Sequence, residues 1–240
     1  MSFWIAMSAV VLGAAPAESP LRVLVFSKTA GYRHEAIGDG VRALEALGRD
    51  LGWSVVATED PAAFSDETLE GFDVVVFLMT TGDVLDSEQQ SSFERFLTKR
   101  NGYVGIHSAA DTEYDWPFYG RLVGAYFQSH PEIQEATYLV EDREHPATAH
   151  LPETWVHTDE HYNFRTNPRE SGARVLVSID ETTYTPGEGT MGDHPVVWCH
   201  ELEGGGRSFY TALGHTKESY SDPLFRKHLA GAITWTASAR

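Results

Sequence analysis

Short apolar runs alternate with longer stretches of helical spacing through the first half of the chain. Residues 21–27 are β-rich and read as a first strand. Residues 36–51 follow, with Ile37, Val41, Leu44, Leu47 and Leu51 on one stripe of a helix. Gly52 stops that helix, and residues 53–58 read as a second strand. The unit is βαβ, so its strands should be parallel. Residues 60–71 make a short connection with capping residues. Residues 72–78 then form a nearly continuous apolar run, which suits a strand covered on both faces. Asp86 or Ser87 caps a helix through Lys99, with Phe93, Phe96 and Leu97 turned inward. Asn101-Gly102 leads into a fourth strand, residues 103–107. This alternation predicts an α/β fold: a doubly wound, mostly parallel sheet flanked by helices.

Beyond Asp111 the pattern changes. Aromatic-rich segments surround Trp116 and Tyr126, with Leu122 and Val123 on a short helix between them. Residues 135–141 alternate as a strand. Residues 155–164 read as an irregular region of polar aromatics. Residues 173–179 are a further strand. Residues 195–202 and 207–213 flank Glu203-Gly204-Gly205-Gly206 and form a hairpin. Asp222-Pro223 opens a last helix to about Ser238. Residues 21–237 are expected to make a single domain.

Candidate chemistry collects at the strand ends. The stretch Tyr103-Val104-Gly105-Ile106-His107-Ser108-Ala109-Ala110-Asp111 ends an apolar run in a histidine, a hydroxyl and an acid. Open α/β sheets bind ligands outside the carboxyl ends of their strands. The spacing is that of a nucleophile elbow, with His107 in the place of Ser or Cys. His34 follows the first strand, and His215 follows the strand at 207–213. The first two project at the same edge of a doubly wound sheet, and the third joins them if its strand runs parallel.

Charge narrows the partners. The chain has 240 residues, 35 acids against 18 bases, and a formal net charge of −17. Such a surface repels phosphate backbones, so nucleic acid is not an expected partner. Residues 1–17 carry no charge and end in Ala15-Pro16-Ala17, the pattern of a secretory signal peptide, although the usual basic start is missing. Export is therefore expected, with the cytoplasm as the alternative. No other segment is long and apolar enough to span a membrane. Cys199 is the single cysteine, so no intrachain disulfide forms, and it reads as a small buried hydrophobe.

Several blocks together resemble the trehalose-utilisation (ThuA-like) family. They are residues 26–34 (Phe-Ser-Lys-Thr-Ala-Gly-Tyr-Arg-His), residues 105–111, residues 209–216 (Phe-Tyr-Thr-Ala-Leu-Gly-His-Thr), the block Phe127-Gln128-Ser129-His130-Pro131, and the tail 221–235. The resemblance implies a class I glutamine-amidotransferase-like (flavodoxin-like) fold and a link to sugar catabolism. It does not imply amidotransferase chemistry, because the elbow holds His107 where true amidotransferases hold cysteine.

Three readings follow. In the first, an enzyme transforms a sugar or keto-sugar glycoside, with His34, His107, Asp111, Glu160 and His215 as acid–base residues. Tyr32, Arg33, Ser108, Trp116, His130, Asp159, His161 and Lys217 are its substrate-binding candidates. In the second, a sugar-binding accessory protein carries a degenerate amidotransferase-like site. In the third, a hydrolase holds a divalent metal such as zinc, with His34, His107 and His215 as candidate ligands. His157-Thr158-Asp159-Glu160-His161 also fits H-x-x-E-H, an inverted zincin signature. That signature needs a helix, which the flanking Pro152 and Pro168 and the missing apolar stripe argue against. His145, His150, His194, His200 and His228 read as structural or surface residues. The expected partner is a small carbohydrate, and an oligomer is compatible with everything above.

Overall fold

The computed structural model describes residues 19–187 and 189–239. Residues 1–17, which the sequence pattern reads as a signal peptide, lie outside the described residues. One nine-stranded sheet organises the chain. Its first half is built as the hydrophobic pattern requires. Strand β1 (Arg22–Phe26), helix α1 (Ile37–Leu51) and strand β2 (Ser54–Thr58) form the parallel βαβ unit. Gly52 ends α1 at φ 74°, a left-handed cap that glycine adopts without strain. A short helix α2 (Asp66–Leu69) precedes β3 (Val74–Leu78), in which every residue is buried. Helix α3 (Ser87–Thr98) starts on a capping box between Asp86 and Gln89. Strand β4 (Gly102–Ile106) follows it and is also buried throughout.

The second half pairs mostly antiparallel. Helix α4 (Pro117–Val123) precedes β5 (Phe127–Ser129), β6 (Gln134–Val140), β7 (Thr154–Asp159) and β8 (Asn163–Phe164). Strand β9 (Arg174–Ile179), the hairpin β10 (Pro195–Glu201) and β11 (Arg207–Thr211), and helix α5 (Pro223–Ala237) complete the chain. The order across the sheet is β2-β1-β3-β4-β11-β10-β9-β6-β7. The first five strands are mutually parallel. The remaining pairings are antiparallel, so β9 and β7 again run with β4. The carboxyl ends of β1, β4, β11 and β7 therefore open at one edge of the sheet.

One segment departs from the sequence reading. Residues 154–159 form strand β7 rather than an irregular stretch. Trp155 and Asp159 point inward, and Val156 and Thr158 point outward. The period of two is present, but polar residues sit on both faces and hide it. Because these residues form a strand, H-x-x-E-H does not place its two histidines on a helix face, and the zincin reading falls.

The loops at this edge are tied to each other. Ala30 N–H donates to the Thr81 carbonyl at 2.7 Å, and Gly82 N–H to the Asp111 carbonyl at 2.8 Å. Beneath them, the Glu113 carboxylate accepts from the Val84 and Leu85 amides and from Gln90 Nε2. These bonds fix the chain after β1, β3 and β4 as one rigid rim.

Candidate functional site

The site begins where β4 ends. His107 is buried at φ 53°, a left-handed turn in which a non-glycine side chain is strained. The turn is held because Tyr210 Oη donates to the His107 carbonyl at 2.7 Å. It aims the imidazole across the rim, where Nδ1 lies 2.8 Å from the Ala212 carbonyl. That contact fixes Nδ1 as the protonated nitrogen, leaving Nε2 directed at the site. Nε2 lies 3.0 Å from His215 Nδ1. His215 follows β11 through Gly214, whose φ is 109° and where an added Cβ would stand 2.8 Å from the Tyr220 hydroxyl, so a side chain has no room.

His34 arrives from the loop after β1, with Nδ1 3.3 Å from the hydroxyl of buried Ser108. The three imidazole rings stand 4.9, 5.0 and 5.1 Å apart, each pair nearly perpendicular. The carboxylate comes from the far side of the sheet. Glu160 follows β7 and places Oε2 3.1 Å from His215 Nδ1 and 3.4 Å from His107 Nε2. Its Oε1 lies 3.1 Å from His130 Nδ1.

Asp159 is the anchor beneath this cluster. It is fully buried, and its carboxylate accepts the Gly214 amide at 2.7 Å and the His215 amide at 3.0 Å. Edge strand β7 is thereby fastened to the loop after β11. Burial would raise the Asp159 pKa, but the hydrogen bond and charge of His157, the charge of His107 and the Gly214 amide together lower it.

Electrostatics separates the groups. Burial, then the charges of His107 and His215, lower His34 to about 3, so it is a neutral base at physiological pH. Burial would raise Glu160, but hydrogen bonds to His107 and His215 prevail and hold it well below the usual carboxylate range. Burial would likewise lower His215, but Glu160 prevails there too and raises it.

A cavity of about 260 Å³ opens over His34 and Glu160. Tyr32, Phe127 and Tyr162 give it aromatic walls, and Asp111 and His130 give it polar ones. Asp111 accepts from the Tyr114 hydroxyl at 2.6 Å and keeps one oxygen for other contacts. Tyr32 is 65% exposed and also borders a second cavity of about 270 Å³, which reaches His215, Thr216 and Lys217. A larger cavity of about 1010 Å³ lies elsewhere, beside α4 and the β10–β11 turn, and holds none of the strand-end histidines.

Of the residues singled out by sequence, His34, His107, Glu160 and His215 meet at one point. Ser108, His130, Asp111 and Tyr32 surround it. Lys217 stands in the neighbouring cavity, paired with Glu35 at 2.8 Å. Four candidates for sugar contact sit elsewhere. Arg33 forks onto Glu59 at the surface. Trp116 is buried against Phe93 and Tyr119, its indole donating to Glu94. Asp159 lies under the cluster with its oxygens committed to backbone amides. His161 is buried against the Tyr138 hydroxyl, 2.9 Å from Nδ1. Phe127 is a wall residue that the sequence did not single out, since one phenylalanine among core aromatics carries no signal.

The fold and site together define an amidotransferase-like α/β domain that lacks the amidotransferase nucleophile. The elbow carries His107, and Cys199 lies buried on β10 with its thiol pushed up by burial to about 12. The family model described as "Trehalose utilisation" matches residues 22–236, and the chain belongs to that ThuA family. Two solved structures described as ThuA-like share its fold. The one from Bacteroides uniformis is 23% identical, with 93% of this chain and 94% of that chain covered and a TM-score of 0.76. The one from Parabacteroides merdae is 20% identical, with 92% and 91% covered and a TM-score of 0.73. PurLQS from Thermotoga maritima is more distant, at 10% identity, 90% and 99% coverage and a TM-score of 0.57. No curated protein matches the chain. The family links the chain to carbohydrate metabolism. Among the described residues, no helix is long and apolar enough to cross a membrane.

Proposed function

We propose that the chain is an enzyme that cleaves or transforms a sugar or keto-sugar glycoside held over the His34–His107–Glu160–His215 centre. The supporting observation is the convergence of three imidazoles and a carboxylate from four separate strand ends, with two of the four, His34 and Glu160, open to one small cavity. A purely structural polar cluster has no need of an opening. The cavity is just below the usual scale of small-molecule pockets, about 300–1,000 Å³, and so suits a single sugar ring. Tyr162 and Phe127 offer apolar faces to that ring, while Asp111 and His130 can bind its hydroxyls.

The protonation states supply complementary partners. Neutral His34 can accept a proton, and anionic Glu160 can stabilise positive charge that develops beside it. Asp111 and His130 line the same cavity, within reach of a hydroxyl of a sugar bound there. Purified protein incubated with a panel of disaccharides and 3-keto-disaccharides, with products followed by NMR, tests the reading. Turnover of at least one panel member is expected. Saturable sugar binding without any product would replace the enzyme with a sugar-binding accessory protein.

A further inference from the structure

His107 Nε2 faces two neighbours that are themselves acceptors unless protonated. With Nδ1–H directed at the Ala212 carbonyl, the Nε2 lone pair points at Glu160 Oε2, 3.4 Å away, and at His215 Nδ1, 3.0 Å away. His215 Nδ1 lies equally close to Glu160 Oε2, at 3.1 Å. One proton on His215 cannot satisfy both acceptors well, and His34 brings a further nitrogen. One ligand atom from each of the four residues lies within 4.8 Å of all the others.

We propose that His34, His107, Glu160 and His215 bind a single divalent transition-metal ion of the zinc type. The donor set is three imidazole nitrogens and one carboxylate oxygen, which suits a borderline ion. The spacing also fits. Ligands about 2.0–2.1 Å from a tetrahedral ion lie about 3.3 Å from each other, close to the contacts among His107, His215 and Glu160. Three imidazoles sharing such an ion hold their ring centres about 5 Å apart, which is the separation of all three ring pairs here.

The surroundings support the ligands as a metal site requires. His107 is oriented by the Ala212 carbonyl, His34 by the Ser108 hydroxyl, and the His215 backbone by Asp159. His34 and Glu160 line the cavity, so the ion would meet whatever binds there. An ion at this point can polarise a hydroxyl or carbonyl oxygen of the bound molecule. With it bound, His34 and Glu160 act as its ligands, which leaves Asp111 and His130 as the polar groups of the cavity free to exchange protons with that molecule. That role rests on the sugar reading above; the binding of the ion does not.

The test uses zinc alone. Protein stripped with a chelator and dialysed is titrated calorimetrically with ZnCl₂, and the refilled protein is checked by elemental analysis. Cobalt substitution then reports coordination by its visible absorption. One zinc per chain, a four- or five-coordinate cobalt spectrum and a raised melting temperature are expected. His107→Ala and Glu160→Gln should each lose about 100-fold or more in zinc affinity. His200→Gln, a histidine remote from the centre, should bind as the parent does. Glu160→Gln keeps the shape of the side chain, so a folded variant that still binds zinc as tightly as the parent overturns the proposal. So does the absence of saturable one-to-one binding by the parent. Zinc binding without sugar turnover would sink the sugar reading and leave this one standing. Sugar turnover by a protein that shows no saturable zinc binding would do the reverse.

Discussion

The two halves of the sheet contribute to the centre in different ways. The parallel half, β2-β1-β3-β4-β11, is covered by helices, and β3 and β4 are buried throughout. It presents His34, His107 and His215 in the ordinary manner of such sheets, at strand ends. The antiparallel half ends in β7, an edge strand with 55% of Val156 exposed. It contributes only the Asp159-Glu160 pair, and it does so by curling that edge over to the loop after β11. The parallel half supplies position, and the antiparallel half supplies the carboxylate that raises His215 against the effect of burial.

Core truncation should separate the halves most strongly. Phe77 is fully buried on β3, stacked on Phe93 and edge-on to Phe64 and Tyr103. Phe77→Ala should cost about 3–5 kcal/mol in denaturant unfolding. Val156→Ala on β7 should stay within about 0.5 kcal/mol. Equal losses would show that the edge strand is packed as firmly as the centre.

The Asp159 anchor is next in size. Asp159→Ala leaves the Gly214 and His215 amides without their acceptor, and should cost about 2–3 kcal/mol and detach β7 from the centre. Hydrogen exchange should show the loop at 214–219 opening while β3 and β4 stay protected. Unchanged exchange there would mean that other contacts hold the edge in place.

A pH series sharpens the comparison through histidines outside the centre. Burial lowers His228 to about 3 and His145 to about 4. Both stay neutral in the folded chain but protonate near 6.5 once unfolded. The unfolded state therefore binds more protons between about 6.5 and 4, and stability falls as pH falls through that window. Each histidine contributes up to about 1.4 kcal/mol per pH unit. His228→Gln should flatten the slope of urea midpoint against pH; an unchanged slope would assign the acid sensitivity to other groups.

The smallest effect is expected at Arg33. Its fork to Glu59 is exposed on both sides. Arg33→Ala should change stability by less than about 1 kcal/mol. It should also leave sugar affinity as it was, whereas a weakened sugar complex would return Arg33 to the site.

Much of the parallel half was legible in the sequence, because continuous apolar runs and helical stripes carry distinct periods. Even His107 showed itself, as a polar residue ending a buried run. The assembly of the centre was less legible. That His215 joins the other two depended on β11 pairing parallel to β4, a long-range choice that no local pattern encodes. Glu160 looked like part of an irregular loop, because His157, Thr158 and Asp159 hide the alternation of β7. Trp116 had the composition of a sugar platform, but the packing of α4 on the sheet turned it into the core.

The central claim is that both halves build one reacting unit. The most direct measurement is a double-mutant cycle on kcat, with His107→Ala from the parallel half and Glu160→Gln from the antiparallel half, on whichever panel sugar the parent converts. Each single change should lower kcat by about 10²–10⁴. The double variant should be little worse than the poorer single, because removing either member disables the same unit. Losses that simply multiply, or a Glu160→Gln enzyme as active as the parent, would contradict the account.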